Sequence, residues 1–146
     1  MALKEFFNFM KKDGNHISVN ESKNHNILTF AFVGDAVFSL FVRSYLASYS
    51  TAKSGVLHTL TTKFVKASFQ AELIELLIDG LSETEHQVVL TARNTKTNNI
   101  AKHSNLEEYK KSTSFEALVG YLYLTNQIVR LNEILNICKI EMEKYL

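Results

Sequence analysis

The sequence contains no proline, one cysteine and five glycines in 146 residues, and its 16 Lys plus Arg nearly balance 15 Asp plus Glu. Each scarcity excludes something. The lone cysteine, Cys138, rules out an intramolecular disulfide framework and a cysteine-based zinc site. Near-neutrality rules out a uniformly basic coat, so any nucleic-acid surface has to come from local clustering. Without proline and with few glycines, long helices run on without their usual breakers, which makes an all-α fold the default and leaves helix ends poorly marked. One domain is expected at this length, burying roughly 68% of the extended chain's surface, so a core is attainable without cross-links.

What is present reads as a series of helices. Met1 to Asp13 mixes Lys4, Glu5, Lys11 and Lys12 with Phe6, Phe7 and Phe9 and has no clean apolar run before a cleavage site, so a short amphipathic helix is expected rather than a signal peptide. A polar linker, Gly14 to Asn26, follows. We therefore divide the chain into residues 1–23, helix and linker, and 24–146, a single folded domain. Ile27 to Leu46 is apolar enough to raise a membrane span, but Gly34, Asp35 and Arg43 interrupt it, and a soluble cytoplasmic protein without a membrane partner is expected. After a connection at Ser50 to Gly55, apolar residues recur every three or four positions from Val56, predicting one helix ended by Gly80. Ser82 with Glu85 forms a capping-box pattern for a helix over Glu83 to Ala92. Arg93 to Ser104 has no apolar period and reads as a loop. A short turn near Asn105 to Tyr109, a dense apolar helix at Ser112 to Leu124 and an amphipathic helix at Ile128 to Leu146 complete the chain.

Chemistry enters where charge sits among apolar residues. Asp35 lies within Phe30 to Phe38, and Glu116 lies between Phe115 and Ala117. A lone buried carboxylate costs several kcal/mol or is forced neutral, so something is expected to compensate each. Both segments also carry a glycine three residues from an alanine, Ala31 with Gly34 and Ala117 with Gly120, although glycine costs about 0.8–1 kcal/mol in a helix. Two helices that approach closely at these faces would bring the carboxylates together, and a divalent cation with a preference for oxygen ligands, Mg2+ or Mn2+, keeps such a pair ionised. The competing account is that Asp35 caps a helix beginning near Gly34 while Glu116 pairs with Lys110 or Lys111. A second feature is basic: Arg93 to Lys111 holds five cations against two carboxylates, a local net of +3 where the rest of the chain sums to −2. Its Asn and Thr residues can also donate to phosphate or ribose oxygens. The histidines show no i, i+4 metal-ligand pair, and Cys138 reads as a small buried hydrophobe.

At these residues the chain resembles the ribonuclease III family, whose all-helical catalytic domain carries a signature helix reading GDAV or GDS and a later helix reading EALIG. The corresponding stretches are FAFVGDAVF, residues 30–38, and STSFEALVGYLYL, residues 112–124. The nearer likeness is to Mini-ribonuclease III, the short bacterial branch without a double-stranded RNA-binding domain. His58, Thr62, Lys63, Val65, Gln70 and Ala71, then Arg93 to Lys96, then Tyr109 with Ser112 and Thr113, fit that branch's pattern. The resemblance spans roughly residues 24–135.

It implies that Asp35 and Glu116 are the catalytic, metal-holding acids, and that Mg2+, with Mn2+ as a substitute, assists hydrolysis of double-stranded RNA to 5′-phosphate and 3′-hydroxyl ends. Longer members have two further acids, where this chain has Ala31 and Thr113. The resemblance also implies a homodimer across the signature helix, with Phe32, Phe38 and Ala31 as interface residues. Arg93, Asn94, Lys96 and Lys102, with Lys63 and Lys66 in support, are the expected RNA contacts. The implied substrate is the precursor of large-subunit ribosomal RNA, with a ribosomal protein as a further partner. The alternative function is a catalytically silent double-stranded RNA-binding or ribosome-assembly protein on the same dimer scaffold.

Overall fold

A computed structural model describes residues 17–96 and 105–146, so the expected N-terminal helix and most of the 93–104 loop, Lys102 included, lie outside the described residues. The described elements are helical: α1 Val19–Ser22, α2 Ile27–Tyr49, α3 Ser54–Val65, α4 Ala67–Leu77, a 3-10 turn at Ile78–Gly80, α5 Glu83–Asn94, α6 Leu106–Leu124 and α7 Ile128–Glu143.

Helix α6 is the axis of the domain. Phe115, Ala117, Leu118, Val119, Tyr121 and Leu122 are all buried, which turns nearly every face of its second half inward. A helix apolar all round belongs in a core, and α2, α4, α5 and α7 surround it. Phe38 of α2 meets Phe115 edge-on, 4.8 Å between ring centroids, in the favourable T-shaped geometry. Helix α2 is also the one helix among the described residues long and apolar enough to cross a membrane, and it supplies Phe30, Phe38, Phe41, Val42 and Leu46 to this core.

The seam between α2 and α6 is set by two glycines. A Cβ on Gly34 would collide with the Glu116 carbonyl oxygen and sit 2.8 Å from the Gly120 nitrogen. A Cβ on Gly120 would collide with the Phe30 carbonyl oxygen and sit 2.9 Å from the Gly34 nitrogen. Backbone therefore packs on backbone, and each glycine makes room for the other helix. The close approach expected from the two small-residue segments is present.

Helix ends follow local chemistry. Asn26 caps α2 by accepting from the Leu28 N–H at 2.9 Å, which places Asp35 in mid-helix and excludes its role as a cap. The Ser82–Glu85 capping box forms in full. Buried Glu85 also receives two hydrogen bonds from Arg130, each 2.9 Å. Burial works to raise the Glu85 carboxyl, but Arg130 and Ser82 together outweigh it and hold it below the ordinary range. Helix α6 ends with Asn126 at φ 58°, and the Gln127 N–H donates to the Leu122 carbonyl at 2.9 Å, closing the last turn.

Helix α1 lies within the expected linker, α2 and α5 run two or three residues past their expected ends, and three further boundaries differ for a physical reason. The helix expected from Val56 to Gly80 bends at Lys66, whose ψ of 155° is extended, so α3 and α4 are separate and the rings of Phe64 and Phe69 pack across the corner at 5.1 Å. The turn expected near Asn105 is instead the start of α6, capped by the Asn105 side chain accepting from the Glu108 N–H at 2.7 Å. The last helix stops at Glu143.

Gly34→Ala is expected to cost about 3 kcal/mol or more, because the added methyl meets rigid backbone rather than a side chain that can turn aside. Gly55, in the first turn of α3, is the control, since a methyl added there would meet nothing within 4 Å. Gly55→Ala is expected to stabilise by about 0.5–1 kcal/mol. Urea unfolding of the two variants beside the native chain checks both signs.

Candidate active site

Asp35 on α2 and Glu116 on α6 flank the glycine seam, and their carboxyl groups lie within hydrogen-bonding reach of one another. They are unequal. Asp35 is exposed, contrary to the expectation of a buried carboxylate, because it lies at the solvent edge of the seam beside exposed Phe32 and Ala36. Glu116 is half-buried within the apolar run of α6. Desolvation first, then the charge and hydrogen bond of Asp35, push its carboxyl up to about 9, against a smaller opposing effect from the Ser112 hydroxyl. At neutral pH Glu116 therefore keeps its proton.

No lysine neutralises Glu116 among the described residues. Lys111 instead pairs with Glu75 at 2.9 Å and with Glu107 at 3.6 Å, which removes the ion-pair alternative for that lysine. Among the described residues no group of three or more His, Cys, Asp or Glu side chains converges, so the two carboxylates are the whole acidic donor set there. Hard oxygen donors that repel one another and lie at an open edge suit a magnesium-like ion that keeps most of its waters. Thr113, at one of the positions where longer relatives of the resembled family carry an acid, donates to the Tyr109 carbonyl at 2.9 Å and so satisfies its own helix.

The other expected site residues divide. Phe32 is 80% exposed beside Asp35, and with Val33, Ala36, Leu40 and Tyr123 it lines a hollow of about 400 Å³. Phe38 is fully buried against Phe41 and Phe115, and Ala31 is also buried, so neither offers surface to a second chain; both belong to the protomer's own core. Arg93 pairs with Glu107 at 2.7 Å. Glu107 precedes Glu116 by nine residues, or about 13 Å along α6. Asn94 and Lys96 are placed at the end of α5, and Lys66 is exposed at the α3–α4 corner. Lys63 is engaged elsewhere: its ammonium lies 5.0 Å from the Tyr145 ring centroid and 3.4 Å from the Tyr145 carbonyl oxygen. A larger hollow, about 540 Å³ and lined by Lys23, His25, Phe30, Glu83 and Gln87, holds neither carboxylate.

Sequence comparison assigns the class. Residues 28–127 match the Ribonuclease III domain, and the chain belongs to that family of endoribonucleases. Within it the chain groups with the Mini-ribonuclease III branch. It is 38% identical over 122 residues to the Mini-ribonuclease 3 of Enterococcus faecalis, covering 82% of this chain and 92% of the relative. It is 42% identical over 110 residues to that of a Thermoanaerobacter species, covering 75% and 78%. A crystal structure of a Fusobacterium nucleatum protein superposes with a TM-score of 0.75 at 25% identity, over 86% of this chain and 98% of that one.

The raised Glu116 carboxyl has a stability consequence of definite sign. Folding tightens its hold on a proton from an ordinary 4.5 to about 9, so the stability this proton confers is full below about pH 4.5 and is lost as pH rises toward 9. Glu116→Gln is expected to raise the stability of the metal-free protein at pH 8 by about 1–2 kcal/mol, a figure reduced from the full shift because solvent reaches a half-buried group. Melting temperatures from pH 5 to 9 should fall less steeply for Glu116→Gln than for the native chain.

Proposed function

We propose that this chain is a divalent-metal-dependent endoribonuclease that cleaves double-stranded RNA to 5′-phosphate and 3′-hydroxyl ends, with Asp35 and Glu116 as its catalytic pair. The observation that carries the reading is the meeting of these carboxylates across the glycine seam, where burial and mutual repulsion raise the proton affinity of Glu116. Asp35 and Glu116 would hold Mg2+, or Mn2+ in its place, an ion whose chemistry is to polarise a phosphate and lower the pKa of water. The chain's own part is to keep two oxygen donors converged on one edge of a rigid seam. To hold the ion Glu116 would have to give up its proton, and its partial burial would strengthen the local electrostatics.

The substrate follows from shape. An A-form duplex is recognised through phosphates and 2′-hydroxyls, because its major groove is too narrow for side chains. Lys66, Asn94 and Lys96 are the contacts we assign, with Lys102 continuing the basic stretch in sequence. Arg93 joins them by exchanging Glu107 for phosphate, and Lys63 is withdrawn from the set by its contacts with Tyr145. By analogy with the branch, the substrate is a large-subunit ribosomal RNA precursor, presented with a ribosomal protein, in the cytoplasm. The cytoplasmic reading rests on α2 acting as a core helix rather than a span.

We further assign a homodimer built on Phe32. A phenylalanine 80% exposed beside a hollow of about 400 Å³ is an unusual solvent contact, and a two-fold axis there would set each ring into the partner's hollow. Two sites would then face the two strands of one duplex.

Two measurements test these assignments. On an end-labelled RNA duplex, Asp35→Asn is expected to lose at least about 100-fold in cleavage rate while the native chain cleaves only with added Mg2+. Native binding without cleavage would favour the silent scaffold instead. For assembly, Phe32→Glu is expected to sediment as a monomer with unchanged helical circular dichroism, where the native chain sediments as a dimer; two dimers would remove Phe32 from the interface.

A further inference from the structure

Three consecutive residues of α6 carry hydroxyls, and one behaves differently from its neighbours. Thr113 donates to the Tyr109 carbonyl at 2.9 Å and Ser114 to the Lys111 carbonyl at 2.6 Å, both returning to their own helix as such residues usually do. Ser112 leaves the helix. Its hydroxyl donates to Oε1 of Gln70 at 2.6 Å, on α4 and 42 residues away in sequence. Gln70 is 1% exposed and Ser112 6% exposed, so this is a buried polar contact between two helices. One turn further along the same face of α6 stands Glu116, near enough for the Ser112 hydroxyl to lower its proton affinity.

Donor arithmetic gives the chain of bonds a direction. A carboxylate that holds a cation only accepts hydrogen bonds, and a serine hydroxyl has a single proton to give. The structure gives that proton to Gln70; for Ser112 to give it to Glu116 instead, a half-turn of the Gln70 amide presents Nε2–H to the serine oxygen, which still accepts. Gln70 is unable to leave, because a buried amide without partners is costly. The bend at Lys66 is what delivers it: α4 begins at Ala67, and the Gln70 N–H closes the first turn on the Lys66 carbonyl at 3.1 Å.

We infer that Gln70 is a positioning residue which, through Ser112, fixes the Glu116 carboxylate in the orientation that holds the divalent ion. The α4 amide thereby steadies Glu116 through a hydroxyl on the side away from Asp35 of α2. This inference rests on the metal-holding role proposed for Asp35 and Glu116. Neutral groups behind a ligating carboxylate are a recognised way to set ligand orientation, and their loss typically weakens metal binding about 10–100-fold.

The test uses the full chain and Mn2+ alone, with free Mn2+ followed by its electron paramagnetic resonance signal and folding followed by circular dichroism. Gln70→Met keeps side-chain length but removes the amide; Ser112→Ala removes the hydroxyl with little change of volume. Each is expected to weaken Mn2+ binding about tenfold, and the double variant also about tenfold rather than about a hundredfold, since the two residues act as one chain of bonds. Ile134→Val, a buried change remote in sequence from the pair, serves as the stability control and is expected to keep native Mn2+ affinity despite a lower melting temperature. If Gln70→Met does not fold, Ser112→Ala alone decides. Native affinity in folded Gln70→Met or in Ser112→Ala, or a multiplicative double variant, overturns the inference. Loss of affinity in Glu116→Gln alone leaves the metal reading standing while this one falls. Native affinity in Glu116→Gln removes both.

Discussion

The backbone contact between Gly34 and Gly120 is the constraint on which the rest depends. It brings α2 and α6 closer than any side chain would permit. That approach decides where the flanking residues fall: Asp35 follows Gly34 immediately, and Glu116 lies one turn before Gly120. The two carboxylates meet because the helices that carry them have nowhere else to go. A glycine that weakens a free helix is here the condition for a functional seam, and the surrounding aromatic core, Phe38 against Phe115, supplies the compensating burial.

The seam imposes an electrostatic cost on the unliganded protein. Bringing one acid into a half-buried position beside another leaves a proton trapped on Glu116 well above its ordinary range, driven mainly by desolvation and secondarily by Asp35. Elsewhere the chain treats acids differently. Glu85 is more deeply buried than Glu116 by accessible surface, yet two hydrogen bonds from Arg130 and its own capping box keep it ionised. The contrast separates an acid fully partnered within the protein by a cation from one set beside another acid, the perturbed setting in which functional carboxylates are found.

Much of this was legible in the sequence because it is encoded by residue type at fixed spacing. The glycines beside small residues announced the close approach, Ser82 with Glu85 announced a helix start, and FAFVGDAVF with SFEALVG announced the acids. What escaped was set by tertiary packing. The bend at Lys66 has no proline or glycine to mark it, and the apolar period of α3 continues into α4 as if nothing had happened; only the packing of Phe64 on Phe69 requires the corner. The exposure of Asp35 escaped because an apolar neighbourhood in sequence does not say which side of a helix each residue takes. The same limit placed Phe38 at the interface: six residues separate it from Phe32, yet one ring is 0% exposed and the other 80%.

The sparse acid set also explains why neutral groups matter here. A third or fourth carboxylate at positions 31 and 113 would share the ion's charge and help orient the others, but Ala31 is buried in the core and Thr113 is satisfied by Tyr109. Under the proposed metal-holding role, two acids alone leave their orientation to hydrogen bonds that add no charge. A neutral hydroxyl and amide can steady Glu116 without competing for the cation and without deepening the repulsion from Asp35. A basic side chain in the same place would neutralise Glu116 directly and remove its need for an ion, which is the arrangement Arg130 makes with Glu85. The pairing of Lys111 with Glu75 and Glu107 has the corresponding effect in reverse: the nearest lysine in sequence to Ser112 is held by other acids, and Glu116 is left without its neutralising charge.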